Sequence, residues 1–326
     1  MKICVYGAGA IGGHLAARLA RGGAAVSVVA RGANLAAIQA NGLHIEPPDG
    51  AFSAAVKASA DPAELGVQDA VLVTTKTPAL PSVAAGIAPL LGPDTPVVFV
   101  ANGIPWWYFD QHGGALDGTR LDMLDPGDAL RTAIGPARSL GGVVYSACTV
   151  IRPGVIEVGH ARSRLVIGEL DGSISARAEA IAAPLRAGGF TVDISADIRS
   201  NVWSKLLLNL AAGPVGVLTQ SAAELSLTEP AVEAAMRGLY AEGQAVARAL
   251  GRTASIDVEA TLANMRASSH HSSILQDLLL GRPMEVATLF DATLHLARLA
   301  GVSTPTLDML VGLVRVRAKA AGLYGS

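Results

Sequence analysis

The chain has 326 residues, 51% of them hydrophobic and 4% aromatic, with a formal net charge of −2. At roughly 150 residues per domain this allows about two domains with a sizeable core. Lysine and arginine are scattered, which excludes the basic run that nucleic acid or an anionic membrane surface requires, so the expected partner is a small molecule.

Up to about Ser195, short β-branched runs alternate with Ala-rich stretches, the pattern of a parallel sheet with crossover helices. Strands are predicted at 2–6, 25–30, 70–74, 97–100, 142–146, 155–158, 165–167 and 191–194. The later ones, punctuated by Arg152-Pro153-Gly154 and Asp171-Gly172, read as hairpin-connected additions to the same sheet. From Asp197 the apolar spacing becomes helical, with helices predicted at 197–212, 230–250, 257–267, 272–280, 284–300 and 305–321 and stops at Gly251, Gly281 and Gly301. The predicted fold is therefore α/β: a Rossmann-type doubly wound sheet over 1–195, then an all-helical domain over 196–326. The first apolar run reaches Gly7 too soon for a signal peptide, and the segment 206–218 is broken by Asn209, Gly213 and Pro214, so a cytoplasmic protein without a membrane span is expected. Cys4 and Cys148 have neither disulfide nor metal-ligand spacing; they read as buried small hydrophobes, and no metal site is predicted.

The first strand runs directly into Gly7-Ala8-Gly9-Ala10-Ile11-Gly12, which opens a helix. Gly7 permits a tight turn, Gly9 lets the backbone approach a pyrophosphate, and Gly12 allows close helix–strand packing, while the helix N-terminus favours negative charge. Glycine is common here, so the pattern alone is weak; its place in a βαβ unit makes it a dinucleotide site. The second strand ends without the acid that holds the ribose hydroxyls of NAD, and Arg31 follows, which points to the 2′-phosphate of NADP(H). At two further strand ends, Lys76 is a candidate for cofactor phosphate and Asn102, before Gly103, for nicotinamide or substrate; a solvated lysine and a plain turn are the alternatives.

In the helical half, Asn201, Lys205 and Asn209 are four apart and form one polar stripe on an apolar helix. A lysine so placed either faces a cleft, where it can polarise a carbonyl oxygen and supply its proton, or snorkels to the surface. Downstream, Ser273 and Asp277 share a helix face, and Glu285 either bonds Lys205 or a substrate hydroxyl or serves the first turn of the next helix.

Gly7-x-Gly9-x-x-Gly12, Arg31, Lys76, Asn102-Gly103, Trp203-x-Lys205-Leu206-x-x-Asn209 and Ser273-x-x-Gln276-Asp277 with Glu285, in that order, resemble the ketopantoate reductase (2-dehydropantoate 2-reductase) family over essentially the whole chain. The resemblance implies NADPH-dependent reduction of 2-dehydropantoate to pantoate, toward pantothenate. It implies Lys205 as general acid with Glu285 supporting it, Asn209 and Ser273 on the hydroxy acid, Asn102 between nicotinamide and substrate, and Arg31 and Lys76 on NADPH; a homodimer is compatible with it. The chain departs from the family where Gly213-Pro214 replaces a second Asn-Pro, and the loop 220–223 lacks an asparagine, leaving fewer donors for substrate. A related reductase of another 2-oxo or 3-hydroxy acid and a non-catalytic NADP(H)-binding protein are the competing expectations. The aromatic run Trp106-Trp107-Tyr108-Phe109 reads either as a roof over the nicotinamide or as packing at a domain or subunit interface.

Overall fold

In a computed structural model, residues 1–160 and 162–324 are described, and the chain forms two compact units. The first unit comprises Met1–Ala101 and Trp106–Ile198; the second comprises Asn102–Pro105 and the chain from Arg199 onward.

The first unit begins with β1 (Lys2–Tyr6), α1 (Ala10–Arg21), β2 (Ala25–Val29) and α2 (Gly32–Asn41), followed by the short strands β3 (Leu43–Glu46), β4 (Phe52–Ala54) and β5 (Lys57–Ser59). It continues through β6 (Ala70–Val73), α3 (Leu80–Gly86), β7 (Val97–Val100), α4 (Ala129–Ala133), β8 (Ser139–Tyr145), β9 (Cys148–Arg152), β10 (Val155–Val158), β11 (Arg164–Glu169), α5 (Ala176–Ala187) and β12 (Thr191–Ser195). Eight strands make one sheet in the order β12-β11-β8-β7-β6-β1-β2-β5. All its pairings are parallel except β11 with β8. Strands buried on both faces have no polar side to alternate, which is why β6 and β7 read as the unbroken runs Ala70–Val73 and Val97–Val100. Strand order reverses at β1, flanked by β2 and β6, so the carboxyl ends of β1 and β6 open at a topological switch point.

Two expectations are corrected here. The strands on either side of Asp171-Gly172, β11 and β12, form no hairpin but pair in parallel, with α5 as the crossover between them. The hairpin β9–β10 does not join the large sheet but lies in a second sheet of order β4-β3-β10-β9, where β10 pairs in parallel with β3. The reason is that both edges of β8 are already occupied, by β7 and by β11. The small sheet packs on α1, whose Gly13 leaves a Cβ only 2.3 Å from Ile156. Both cysteines are free; Cys4 is buried as expected, whereas Cys148 is only half-buried and contacts the Ser146 hydroxyl and His14, and burial pushes their thiols up to about 12 and about 11.

The second unit contains α6 (Ile198–Thr219, from Arg199), α7 (Ala223–Ser226), α8 (Pro230–Ala249), α9 (Val258–Arg266), α10 (Ser273–Leu279), a π-turn (Ala287–Asp291), α11 (Ala292–Leu299) and α12 (Pro305–Ala320). The glycines read as stops each adopt positive φ: +71° at Gly251, +62° at Gly281 and +65° at Gly301. The predicted break at Gly213-Pro214 does not occur, and α6 runs on to Thr219. Pro214 removes one helical hydrogen bond, but Leu210, Ala211, Val215 and Val217 are buried on both sides of it, and their packing holds the helix together. At 22 residues α6 is, among the described residues, the one helix long and apolar enough to cross a membrane, yet most of its apolar window is buried inside the protein. Helix α8 approaches it so closely at Gly243 that a Cβ there would lie 2.5 Å from Leu207.

Candidate active site

In the first unit, β1 turns into α1 through three glycines with three different constraints. Gly7 has φ +106°, and a Cβ on it would meet Thr75 Cγ2 at 2.7 Å. Gly12 sits on the first turn of α1, where a Cβ would lie 2.0 Å from the Gly7 carbonyl oxygen and 2.3 Å from Thr74 Oγ1. The Thr74 hydroxyl donates to that carbonyl at 2.7 Å and fixes the turn to β6. Gly9, the residue that caps α1, would find nothing within 4 Å of a Cβ among the described residues. No side chain caps α1 and no acid lies in its first turn, so its N-terminal N–H groups suit an anion.

Two substitutions separate packing from ligand approach. Gly12→Ala forces the turn apart and is expected to lower stability by about 2–3 kcal/mol, the upper range for overpacking. Gly9→Ala is expected to leave the melting temperature near that of the parent while weakening dinucleotide affinity. Thermal melts and fluorescence titration with NADPH check both, and equal losses of stability would remove the distinction.

The glycine turn opens on a cleft of about 250 Å³ lined by Tyr6, Gly7, Ala8, Gly9, Arg31, Asn34, Thr75 and Ser82, among others. Arg31 is exposed at its edge, near enough to Tyr6 to oppose the upward push that burial gives the Tyr6 hydroxyl. Lys76 is exposed one residue beyond Thr75, whose hydroxyl is buried without a hydrogen-bond partner among the described residues. Sequence reasoning passed over Asn34. Its Nδ2 donates to the Ala8 carbonyl at 2.6 Å and its Oδ1 accepts the Gly154 N–H at 2.8 Å. Because C=O and the next N–H point oppositely across a peptide plane, holding the Ala8 carbonyl turns the Gly9 N–H the other way. No local signal marks this, since the partners lie 26 and 120 residues away.

In the second unit, α6 carries Lys205 and Asn209 one turn apart. Both are half-buried, and burial lowers the Lys205 pKa below the ordinary value. The Asn209 amide nitrogen is buried with no hydrogen-bond partner among the described residues, the mark of a donor awaiting a ligand or water. One turn further, a Cβ on Gly213 would lie 2.9 Å from the Phe290 ring and 3.4 Å from Ile274, so hydrocarbon fills the place of a second amide. Glu285 is only 6% exposed and lies immediately before the helical segment that contains the π-turn, its carbonyl accepting the Leu289 N–H at 3.2 Å. The half-buried Asn102 belongs to the same unit as Glu285, and the next two residues dock on the π-turn: Ile104 N–H donates to the Thr288 carbonyl at 3.0 Å. Ser273, the first residue of α10, is exposed, whereas the hydroxyl of its neighbour Ser272 is buried without a partner among the described residues.

The aromatic run is buried, and its described contacts include core residues of the first unit. Trp107 is 1% exposed and lies under Gly141, where a Cβ would meet its ring at 2.8 Å, while Trp106 packs edge-on against Phe99 at 5.6 Å.

Comparison with known proteins supplies the family. The model described as ketopantoate reductase PanE/ApbA matches residues 3–172, and that for the C-terminal part of the same family matches 197–318. A 2-dehydropantoate 2-reductase of Mesorhizobium japonicum is 42% identical over 99% of this chain and 100% of its own length. A crystal structure from Ralstonia solanacearum MolK2, assigned as a ketopantoate reductase, superposes with a TM-score of 0.91 at 42% identity, covering 99% of each chain. A D-mandelate dehydrogenase bound to NADH and anilino(oxo)acetate shares the fold with a TM-score of 0.82 at 19% identity, covering 99% of this chain and 100% of that one.

Proposed function

The chain belongs to the ketopantoate reductase family of oxidoreductases, and from that membership we propose that it reduces 2-dehydropantoate to (R)-pantoate with NADPH, in the cytoplasm, as a step toward pantothenate. The observation that carries this reading is half-buried Lys205 one helical turn from Asn209, whose amide nitrogen is buried with no hydrogen-bond partner among the described residues. A group so placed is suited to give up a proton near a polar ligand.

The first unit fits a dinucleotide: the open face of Gly9, the uncapped start of α1 and the adjoining cleft accept a pyrophosphate and its nucleoside, with Arg31 for the 2′-phosphate and Lys76 to neutralise cofactor phosphate. NADPH, when bound, supplies the hydride that reaches the C2 carbonyl carbon. Lys205 Nζ polarises the carbonyl oxygen and passes it a proton, so that the ketone becomes an alcohol and the lysine leaves neutral, to be reprotonated from solvent. Glu285 favours the charged lysine and accepts from a substrate hydroxyl, while Asn209, Ser273 and Asn102 orient the oxo acid.

A second reading, a reductase of another 2-oxo or 3-hydroxy acid, is favoured by Gly213, where Phe290 leaves no room for an amide. A panel of 2-oxo acids assayed with NADPH decides between them. The highest kcat/KM is expected with 2-dehydropantoate; a less polar 2-oxo acid ahead of it supports the second reading. No turnover on any member, with NADPH still bound, would leave a non-catalytic NADP(H)-binding protein.

A further inference from the structure

Residues 284–291 are clamped at both ends by α12 and the segment that follows it. At Gly322, φ +69°, the chain turns back, and the Leu323 carbonyl accepts the Met284 N–H at 3.0 Å. At the other end, the Asp291 carboxylate is only 7% exposed; one oxygen accepts from Arg315 Nε at 2.6 Å and the other from the Tyr324 hydroxyl. Glu285 and Thr288 lie between the two clamps. A π-turn inserts one residue into the helix and so frees a carbonyl, and here the Thr288 carbonyl receives Ile104 N–H. Gly103, with φ +81°, is pressed so close that a Cβ would stand 2.5 Å from that same oxygen. Asn102 is thus tied through two residues to the turn that Tyr324 and Arg315 hold.

We propose that Tyr324 is a positioning residue: through Asp291 it fixes the π-turn, and the turn in turn sets Glu285 and the Asn102 loop. This inference rests on the assignment of Glu285 and Asn102 to the reaction. The buried, hydrogen-bonded carboxylate gives the device rigidity, since removing a donor leaves Asp291 with charge less well satisfied. Burial and Asp291 also push the Tyr324 hydroxyl up to about 12, which keeps it a donor throughout the working range.

The test is Tyr324→Phe in the whole protein, with Asp291→Asn as the second variant, read by two measurements. Backbone amide exchange is expected to quicken across 284–291 and at Ile104, with the strands of the first unit unchanged. In the same variant kcat is expected to fall about tenfold, within the range that slight misplacement of reacting groups produces, with the NADPH Kd unaltered. Parent-like exchange at Ile104 and 284–291 overturns the coupling, and an unchanged kcat overturns the positioning role. If the parent itself turns over no 2-oxo acid, the functional reading fails on its own, and the exchange data still decide whether Tyr324 governs the turn.

Discussion

Lys205→Ala is expected to lower kcat for reduction of the oxo acid by about 10²–10⁴-fold, the usual contribution of a positioned proton donor, with NADPH affinity retained. The two effects separate because Lys205 lies on α6 in the second unit, whereas the glycine turn and its cleft lie wholly in the first. Single-turnover kinetics beside a direct titration of NADPH check this. A thermal melt of the variant beside the parent separates any loss of stability from the loss of turnover. A loss confined to NADPH affinity, with kcat intact, would assign Lys205 to binding instead of proton transfer.

Arg31→Ala carries the second large effect. A guanidinium paired with a phosphate makes charge-assisted hydrogen bonds worth about 1.5–3 kcal/mol, so NADPH affinity is expected to fall by about 10–100-fold. NADH lacks the 2′-phosphate and should lose little. Arg31 stands exposed at the end of β2, where it caps nothing with its side chain, so a stability change is not expected to blur the comparison. Equal losses for both dinucleotides would show that Arg31 does not read the phosphate.

The central strands of the large sheet were legible because they are continuous apolar runs, and the helices because their apolar spacing is regular. What escaped was short or non-local. The strands Phe52–Ala54 and Lys57–Ser59 have three residues each, too few to show a period, and β3 finds its parallel partner β10 about 110 residues along the chain. Helix α6 overrode the breaker Pro214 because tertiary packing outweighs a single lost bond. The predicted helix 284–300 conceals the π-turn, since one inserted residue barely disturbs an apolar pattern.

The same contrast holds for the candidate site. The glycine turn and the Lys205–Asn209 stripe announce themselves by spacing along the chain. Asn34, Ser272 and Tyr324 do not, because what singles them out is a partner distant in sequence or the lack of one: the Ala8 carbonyl, an unsatisfied hydroxyl and the Asp291 carboxylate. Phe290 was invisible as the occupant of the space above Gly213 for the same reason.

Proton transfer from Lys205 is tested most directly by the pH dependence of kcat in the parent beside Lys205→Arg. The reacting form is the ammonium, and burial lowers its pKa, so kcat should hold level at lower pH and fall as pH rises through a value below that of an ordinary lysine. Arginine does not deprotonate in that range, so the variant should be slow and show no such fall. A parent profile flat through the alkaline range, or the same fall in both proteins, would contradict lysine as the donor.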